Sequence, residues 1–337
     1  MAKFIVTGGL GFIGSNLVEY LIHLGHFVIN IDKVSYSSNF YNISKFRNNK
    51  NYKFFKIDIC NKKKISQIIK NYKPVCIFNL AAETHVDRSI DSSDDFIKTN
   101  VLGVHSLLEI LIKNKRIKLI HISTDEVYGD IQSNMRADEK TPYNPGNPYS
   151  ATKAASDHLI NSYINTYKLN AIITNCCNNY GPKQNPEKFI PKIIFNILSN
   201  KKLPLYGKGQ NTREWIYVLD HCKALYKIYQ KGKIGETYNI GSNQNLKNID
   251  LTKKIITLAK KKKYYNKKSK ITYIKDRPGH DLRYALNSQK IRKYIKWKPE
   301  VMINKGLRNT LEWYKTNKKF FKYIRNKNFI GRLGKNR

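Results

Sequence analysis

The sequence predicts an α/β protein built on a doubly wound parallel sheet, with a smaller α/β part at its C-terminal end. Short apolar runs alternate with amphipathic stretches through the first half, and a glycine-rich turn follows the first run. The pattern loosens after Tyr180, where prolines become frequent. These observations predict a nucleotide-binding domain at 1–180 and a capping domain at 181–337, with a soft boundary and some interleaved segments.

The predicted elements follow in chain order. Apolar runs of strand length lie at 3–7, 27–32, 52–58, 75–81, 119–124 and 171–176, and a later one lies at 238–241. Helix-like stretches at 15–25 and 100–113 separate some of these runs, and in the second stretch apolar residues recur at spacings of three and four. Strands that alternate with helices in this way are typical of a parallel sheet with helices on both faces.

Composition excludes several classes of protein. Hydrophobic residues make up 41% of the 337 residues, which excludes a disordered chain, and no apolar run approaches the roughly 20 residues of a membrane span. Five cysteines without a CxxC pair argue against a disulfide framework or a metal site. The first residues lack the layout of a signal peptide. We therefore expect a cytoplasmic protein without a metal or a membrane contact.

The net charge of +38 raises the question of a polyanionic partner. The excess of lysine is spread over the chain and accompanies abundant Asn, Ile and Tyr, which suggests a compositional bias. The densest run, at 260–270, holds seven lysines and is interpreted as a solvated helix end and loop. A nucleic-acid or membrane patch remains the alternative interpretation, and we expect neither partner.

The turn TGGLGFIG places Gly8, Gly11 and Gly14 between a predicted strand and a predicted helix. Glycines at this spacing permit a tight turn and a close approach of the backbone to a pyrophosphate, as in a Rossmann-type dinucleotide site. Asp32 ends the second strand, where an acid accepts the ribose hydroxyls and repels a 2′-phosphate. This favours NAD over NADP, although the adjacent Lys33 opposes the argument. Asp58 is either an adenine contact or a helix cap.

Tyr149 and Lys153 form a YxxxK pair on a predicted helix that begins after Pro148. A spacing of four places both side chains on one face, where the ammonium favours the tyrosine phenolate. Thr124 ends a predicted strand upstream and offers a hydroxyl to the same substrate. By itself the pair is frequent in a chain with 23 tyrosines. Together with the glycine turn, it predicts oxidation of a sugar hydroxyl.

At these motifs the chain resembles the extended short-chain dehydrogenases/reductases that act on nucleotide sugars. Within that group it is similar to the dTDP-glucose 4,6-dehydratases over nearly its whole length. The segments that carry the resemblance include TGGLGFIGSNLVEYL, NLAAETHVDRSI, HISTDEVYGD, PYSATKAASDHL, TNCCNNYGPKQNPEKFIP, LPLYGKGQNTREWIYVLDH and DRPGHDLRYA. The most discriminating feature is the consecutive pair Asp125 and Glu126, which related epimerases and decarboxylases lack in this loop.

The resemblance implies a chemistry for that pair. Loss of water across sugar carbons 5 and 6 needs a base for the carbon-5 proton and an acid for the carbon-6 hydroxyl. By resemblance Asp125 is the acid and Glu126 the base, while Tyr149 and NAD oxidise carbon 4 and the hydride later returns to carbon 6. The product is a 4-keto-6-deoxy sugar on the route to deoxysugars such as rhamnose, and the cofactor is regenerated.

Other positions match the family one at a time. The resemblance implies cofactor contacts at Gly8, Gly11, Phe12, Ile13, Gly14, Asp32, Lys33, Val34, Ser35, Asp58, Ile59, Leu80, Ala81, Ala82, Glu83, Thr84, Thr99, Tyr149, Lys153 and Asn179. It implies nucleotide-sugar contacts at Thr84, Thr124, Asn178, Lys188, Phe189, Pro204, Leu205, Tyr206, Arg213, Asn248, Asp276, Arg277, Pro278, Gly279 and His280. Guanidinium groups suit a pyrophosphate because they form forked hydrogen bonds to paired oxygens. We expect His121 to be a packed core histidine.

Three departures from the family pattern concern the shape of the sugar pocket: Cys177 stands where serine is expected, and Lys183 and Gln184 replace an aromatic–histidine pair. The alternatives left open are a UDP- or GDP-sugar dehydratase or epimerase on the same scaffold, and a basic nucleic-acid-binding protein with an inactive nucleotide domain. Helices near 96–113 and 150–167 resemble those that pair in family dimers, so a homodimer is expected.

Overall fold

The computed structural model describes residues 1–276 and 278–324. Within these two ranges, twelve strands lie at Lys3–Thr7 (β1), Phe27–Asp32 (β2), Tyr52–Lys56 (β3), Cys76–Asn79 (β4), Lys118–Thr124 (β5), Ala171–Cys176 (β6), Asn178–Tyr180 (β7), Leu203–Tyr206 (β8), Thr212–Tyr217 (β9), Thr237–Ile240 (β10), Asn245–Lys247 (β11) and Ile271–Ile274 (β12). The helices in the same ranges are Phe12–His23 (α1), Lys62–Tyr72 (α2), Val86–Asp91 (α3), Asp94–Phe96 (α4), Gly103–Ile112 (α5), Pro148–Tyr167 (α6), Phe189–Leu198 (α7), Val218–Lys231 (α8), Asn248–Lys261 (α9) and Ile303–Thr316 (α10).

Seven strands form one parallel sheet in the order β10-β6-β5-β4-β1-β2-β3. This order confirms the predicted doubly wound fold. The order reverses between β1 and β4, and a ligand crevice is expected outside the carboxyl ends of the strands at such a point. Although β10 follows residue 180, it joins this sheet as an edge strand beside β6.

The strands of the central sheet other than the edge strand β10 divide their apolar side chains between two cores. In β1, Phe4 faces the core shared with α1 and α8, whereas Ile5 faces the core shared with α2 and α5. Successive side chains of a strand point to opposite faces, so a continuous apolar run is what a sheet covered on both faces requires. The near-continuous burial of β1, β2 and β4 follows directly.

The smaller part packs around a third core formed by α7, α9 and α10 with β7, β8 and β9. Two short sheets belong to it, β11-β9-β7 and β12-β8. The helix α8 precedes some of these elements yet packs against α1 on the central sheet. The chain therefore returns to the central sheet at α8 and β10, between elements that pack around the third core.

Several element boundaries differ from those that the sequence predicts. The helix expected at 100–113 is an α-helix over Gly103–Ile112 preceded by a π-helical segment over Ile97–Leu102. Gly103 lies at the junction, where an added Cβ would meet the side chain of Ile59 at 2.5 Å.

Within the described residues, no helix has the length and apolar character needed to cross a membrane. The same residues hold no cluster of three metal-ligating side chains.

Candidate active site

A cleft opens along the carboxyl edge of the central sheet, because parallel strands all end on one side. It runs from the turn after β1, past the ends of β2 and β4, to the ends of β5 and β6. The side chains and backbone that line it are Gly8, Gly11, Phe12, Ile13, Gly14, Ile31, Asp32, Lys33, Ser35, Ser37, Ser38, Ile57, Asp58, Ile59, Leu80, Ala81, Ala82, Glu83, Thr84, Thr99, Ile122, Ser123, Thr124, Asp125, Glu126, Tyr149, Lys153, Cys176, Cys177, Asn178, Asn179, Gln184, Asn185, Glu187 and Lys188.

The glycine turn at one end of the cleft leaves no room for side chains. A Cβ at Gly14 would lie 2.2 Å from the carbonyl oxygen of Gly8, and Gly8 itself has φ +70°. The amide of Gly11 donates to the carbonyl of Gly8 at 3.0 Å, which closes the turn. No side chain of the described residues caps the N-terminus of α1. Its free N–H groups and positive dipole end therefore suit a pyrophosphate.

Asp32, at the end of β2, is held by three donors. Its carboxylate accepts the amide of Leu10 at 3.0 Å, the amide of Val34 at 2.8 Å and the hydroxyl of Ser38 at 2.7 Å. Burial raises the pKa of Asp32, and these hydrogen bonds act in the opposite direction. The carboxylate is thus fixed at the end of the strand, where a ribose of a dinucleotide would bind.

Lys33 does not offer a free charge to this end of the cleft. Its ammonium lies 3.0 Å from a carboxylate oxygen of Glu83 and donates to the hydroxyl of Thr99 at 2.8 Å. Glu83 is buried, so the pair is partly shielded from solvent. Glu83 neutralises the Lys33 cation within the cleft. The position of Lys33 beside Asp32 therefore does not argue against a preference for NAD.

The proposed acid, base and hydroxyl follow one another where β5 ends. Thr124 is the last residue of the strand, and a 3₁₀ turn over Asp125–Tyr128 begins directly after it. The hydroxyl of Thr124 accepts the amide of Glu126 and donates to Asp125, each at 3.3 Å. The turn therefore points two adjacent carboxyl groups and a hydroxyl into one cleft.

Tyr149 and Lys153 are presented by the first turns of α6. Asn147 and Ser150 form a reciprocal capping box, and Pro148 occupies the start of the helix, where its missing N–H has no cost. Tyr149 and Lys153 are both buried and line the cleft. The predicted helix start and the shared face are therefore as expected.

Burial strongly perturbs the proton affinity of both side chains. It raises the pKa of Tyr149 well above 10.0, with the nearby Glu126 adding to the effect. It lowers the pKa of Lys153 to about 8, although the Asp157 carboxylate acts in the opposite direction. A buried phenol becomes a base only if positive charge stands beside it, so the protonated lysine is essential to this arrangement.

The two carboxyl groups differ in their surroundings. Asp125 is fully enclosed, and burial together with the neighbouring Glu126 and Glu214 carboxylates raises its pKa well above 3.8. Among the described residues, Asp125 Oδ2 and Glu126 Oε2 are buried without a hydrogen-bond partner. A carboxyl group kept protonated beside a second carboxyl group can supply an acid and a base in one loop.

The structure brings most of the predicted residues together. The five proposed catalytic residues line the cleft, as do the proposed cofactor residues other than Val34. Val34 has φ 65°, packs against the core and uses its amide to hold Asp32. Of the proposed sugar contacts, Thr84, Thr124, Asn178 and Lys188 line the cleft.

The other proposed sugar contacts do not line the cleft itself. Phe189 stacks on Trp215, Tyr206 donates to Asp87 at 2.6 Å, and the guanidinium of Arg213 lies over the ring of Tyr284 at 4.1 Å. The other described members of this set also lie outside the cleft lining; they are Pro204, Leu205, Asn248, Asp276, Pro278, Gly279 and His280. Arg277 lies outside the described residues.

Sequence reasoning missed several residues that line the cleft, among them Ser37, Cys176, Asn185 and Glu187. Glu187 is buried next to Lys188 and lies 3.6 Å from the guanidinium of Arg88. No spacing pattern distinguishes these positions from ordinary loop residues. The pair Gly181 and Pro182 before Lys183 predicts a turn near these positions. It does not indicate which side chains of the turn face the cleft.

A glycine cradle with an acid at the end of β2, and a Tyr–Lys pair beside a strand-end hydroxyl, are the arrangement of a short-chain dehydrogenase/reductase. Residues 5–310 match the family described as GDP-mannose 4,6 dehydratase. The dTDP-glucose 4,6-dehydratase of Haemophilus influenzae is 44% identical over 333 residues, covering 93% of this chain and 98% of that protein. The chain belongs to the dTDP-glucose 4,6-dehydratase family.

Solved structures agree with this assignment. The dTDP-glucose 4,6-dehydratase of Bacillus anthracis in complex with NAD superposes with a TM-score of 0.89 at 41% identity, covering 96% of this chain and all of that one. The UDP-glucose 4-epimerase of Thermotoga maritima with UDP-glucose has a TM-score of 0.85 at 28% identity, covering 93% of this chain and 99% of that one. The scaffold is shared with epimerases, whereas the sequence is closer to the dehydratases.

Proposed function

We propose that this protein removes water from dTDP-glucose to give the 4-keto-6-deoxy sugar nucleotide, with NAD as a retained cofactor. The observation that carries the proposal is the adjacent pair Asp125 and Glu126, whose unpaired oxygens among the described residues lie in the same cleft as Tyr149 and Lys153. An epimerase needs no acid–base pair for elimination. The names of the closely similar relatives support the same activity.

The cofactor fits the described residues. The glycine turn leaves space only for a group that approaches the backbone closely. The carboxylate of Asp32 lies at the end of β2, where the amide of Leu10 holds it. When bound, NAD supplies the hydride acceptor for carbon 4 and the hydride donor for carbon 6. Gly8, Gly11 and Gly14 would hold its pyrophosphate, and Asp32 the hydroxyls of its adenosine ribose.

The protein's own residues then move the protons. Tyr149, as phenolate beside the Lys153 ammonium, takes the proton of the carbon-4 hydroxyl, and Thr124 orients that hydroxyl. The ketone at carbon 4 acidifies the carbon-5 hydrogen, which Glu126 removes. Asp125, protonated because of its burial and its carboxylate neighbours, gives its proton to the departing carbon-6 hydroxyl. Water leaves, and a proton returns to carbon 5 as carbon 6 is reduced.

The nucleotide end of the substrate would lie against the smaller part of the molecule. Phe189, Arg213 and the segment at 276–280 are the proposed contacts there, and Lys188 faces the cleft from the same side. Arg213 is buried and hydrogen-bonded to the carbonyls of residues 281 and 282. Its positive charge is therefore fixed in place, which suits a pyrophosphate.

We also propose that two copies of the chain form a homodimer through α5, α6 and the π-helical segment before α5. Large apolar side chains are exposed there: Ile97 is 46% exposed, Leu102 53% and Tyr167 42%. Exposed apolar patches of this kind mark association surfaces. A cytoplasmic location, suggested by the composition, stays a prediction.

The proposal is tested by incubating the purified protein and NAD with dTDP-glucose and following product mass. Loss of one water without net formation of NADH is expected. The Asp125→Asn, Glu126→Gln double variant should still bind NAD and form the 4-ketone, yet should not eliminate water. Full dehydration by this variant would contradict the assigned roles.

Two alternatives have their own outcomes. Turnover of a UDP- or GDP-sugar in place of dTDP-glucose would reassign the nucleotide while keeping the chemistry. A salt-dependent shift of nucleic acid on a gel, without turnover of any sugar nucleotide, would favour the basic binding protein instead. The presence of Thr124, Asp125, Glu126, Tyr149 and Lys153 in one cleft argues against that outcome.

A further inference from the structure

Two buried ionisable side chains stand directly behind Lys153, and the proposed reaction uses neither of them. His121 lies on β5 and Asp157 lies one turn beyond Lys153 on α6. Both are fully buried, and neither belongs to the lining of the cleft. Burying a histidine and an aspartate costs free energy unless each finds polar partners. Their position therefore calls for a reason beyond core packing.

The first contact joins His121 to the catalytic ammonium. Lys153 Nζ lies 3.1 Å from His121 Nε2 and donates to the backbone carbonyl of Ile122 at 2.8 Å. An ammonium carries three N–H donors. With two of them directed at the ring and at the strand, one remains to face the cleft. A long, flexible side chain is thereby held in one orientation.

The far side of the ring can adapt to this contact. In this structure the side-chain nitrogen of Asn79 lies 3.0 Å from His121 Nδ1, and its oxygen accepts the hydroxyl of Thr7 at 2.7 Å. An amide can present either its oxygen or its nitrogen, and a hydroxyl can donate or accept. The tautomer whose Nε2 lone pair faces the ammonium requires the Asn79 amide to be turned over, so that its oxygen accepts Nδ1–H and its nitrogen donates to Thr7.

Asp157 supplies negative charge to the same cluster. Its Oδ1 lies 3.5 Å from His121 Nε2, and its Oδ2 accepts the hydroxyls of Ser123 at 2.6 Å and Tyr143 at 3.2 Å. Burial raises the pKa of Asp157 to about 6, an effect that the charge of Lys153 opposes. At neutral pH the carboxylate is therefore mainly ionised and balances the ammonium.

The remaining groups around Lys153 complete the electrostatic environment. Burial lowers the pKa of His121 well below 6.5, so the ring is neutral and does not compete with the ammonium for the carboxylate. Cys176, on β6, is the other titratable neighbour that acts on Lys153, and burial raises its thiol pKa to about 12. The thiol is neutral, so the charge balance of the lysine depends on Asp157.

We propose that His121 is a positioning residue for Lys153, its Nε2 lone pair accepting one ammonium proton while the Asp157 carboxylate supplies the counter-charge. The pair keeps Lys153 charged and oriented behind Tyr149, and so extends the pH range over which the tyrosine acts as base. The kinetic test of this inference rests on the proposed function. The spectroscopic test uses the NAD-free protein and depends only on the geometry around His121.

The kinetic test replaces His121 by Met, which fills the space without an acceptor, and by Gln, whose side chain offers an oxygen near the position of Nε2. Loss of a hydrogen bond to a charged group lowers the lysine pKa by about one pH unit. The alkaline limb of the kcat profile should move down by that amount in His121→Met, with kcat about fivefold lower at pH 8 and nearly unchanged at pH 6.5. KM should stay within about twofold, since substrate contacts are retained.

The controls separate positioning from packing. His121→Gln should restore the alkaline limb, and Asp157→Asn should shift it in the same direction as His121→Met by removing the counter-charge. His26 pairs with Tyr226 at the opposite end of the sheet, so the control variant His26→Met should leave the pH profile of kcat unchanged. A lower melting temperature of His121→Met with an unshifted profile would overturn the inference in favour of a structural role.

A second readout needs no turnover. In the NAD-free protein labelled with ¹⁵N-histidine, the His121 signal, identified by its loss in His121→Gln, should show an unprotonated Nε2 while Lys153 is charged. Its shift should change as the lysine titrates near pH 8, and that change should be absent in Lys153→Met. A protonated Nε2 throughout would refute the inference. Absence of turnover by the wild-type protein would instead refute the proposed function.

Discussion

Gly14 gives the sharpest test of the cofactor site, because its replacement by alanine adds one methyl group to a defined place. That methyl group would lie 2.2 Å from the carbonyl oxygen of Gly8 and 2.9 Å from both the carbonyl carbon of Gly8 and the Cα of Gly9. All three are backbone atoms, so no side chain can swing aside. Either α1 or the turn must move.

The distances set the size of the effect. Ordinary contact begins near 3.4 Å, so the turn and the helix must separate by about 1.2 Å. Strain of this kind costs about 1–3 kcal/mol of the free energy of unfolding. The same movement draws the N–H groups of α1 away from a bound pyrophosphate. Each charge-assisted hydrogen bond that is lost weakens NAD binding by about 1.5–3 kcal/mol, which is at least about tenfold in Kd.

A matched control is available just beyond the far end of the same helix. Gly25 has φ +80° with nothing within 4 Å of an added Cβ. Gly25→Ala should therefore cost about 1 kcal/mol of stability through backbone strain alone, and should leave the Kd for NAD unchanged. Calorimetric titration of NAD into the stripped variants, with urea unfolding of each, measures both quantities. Wild-type affinity in Gly14→Ala would refute the assignment of the turn as the pyrophosphate site.

Three further predictions concern acid stability, a buried ion pair and assembly. Burial lowers the pKa of His221 from 6.5 to about 3, so the folded protein binds fewer protons and stability falls as pH drops below 6.5. Between pH 7.5 and 5.5 this histidine should cost about 1.4 kcal/mol, a loss that His221→Gln removes and urea unfolding measures. Lys183 is almost fully buried and lies 2.5 Å from the carboxylate of Glu19, which is 25% exposed. Glu19→Gln should therefore cost about 3 kcal/mol in the same assay, whereas Lys183→Met should cost about 1 kcal/mol, because only the first change strands a buried charge. Leu102→Glu should convert the proposed homodimer to a monomer on size exclusion with light scattering, and an unchanged mass would contradict the proposed interface.

Local sequence determined the fold class and displays the residues proposed for catalysis. Strand-length apolar runs that alternate with helices specify a parallel sheet covered on both faces, and the glycine turn marks its first crossover. The four-residue spacing of Tyr149 and Lys153 and the adjacency of Asp125 and Glu126 are short-range relations. One helix turn or one loop is enough to bring such side chains together, so the sequence displays them directly.

Tertiary structure decided the surroundings of those residues. Glu214, which lies far along the chain, contributes to the raised pKa of Asp125, and Lys33 is neutralised by Glu83 across the cleft. His121 is fully buried, as its place in a core strand predicts, and it also contacts Lys153, the proposed partner of Tyr149. The sequence places these groups many residues apart and carries no pattern that links them. Their charge and proton affinity depend on distance and burial, and these are established only when the strands and helices pack together.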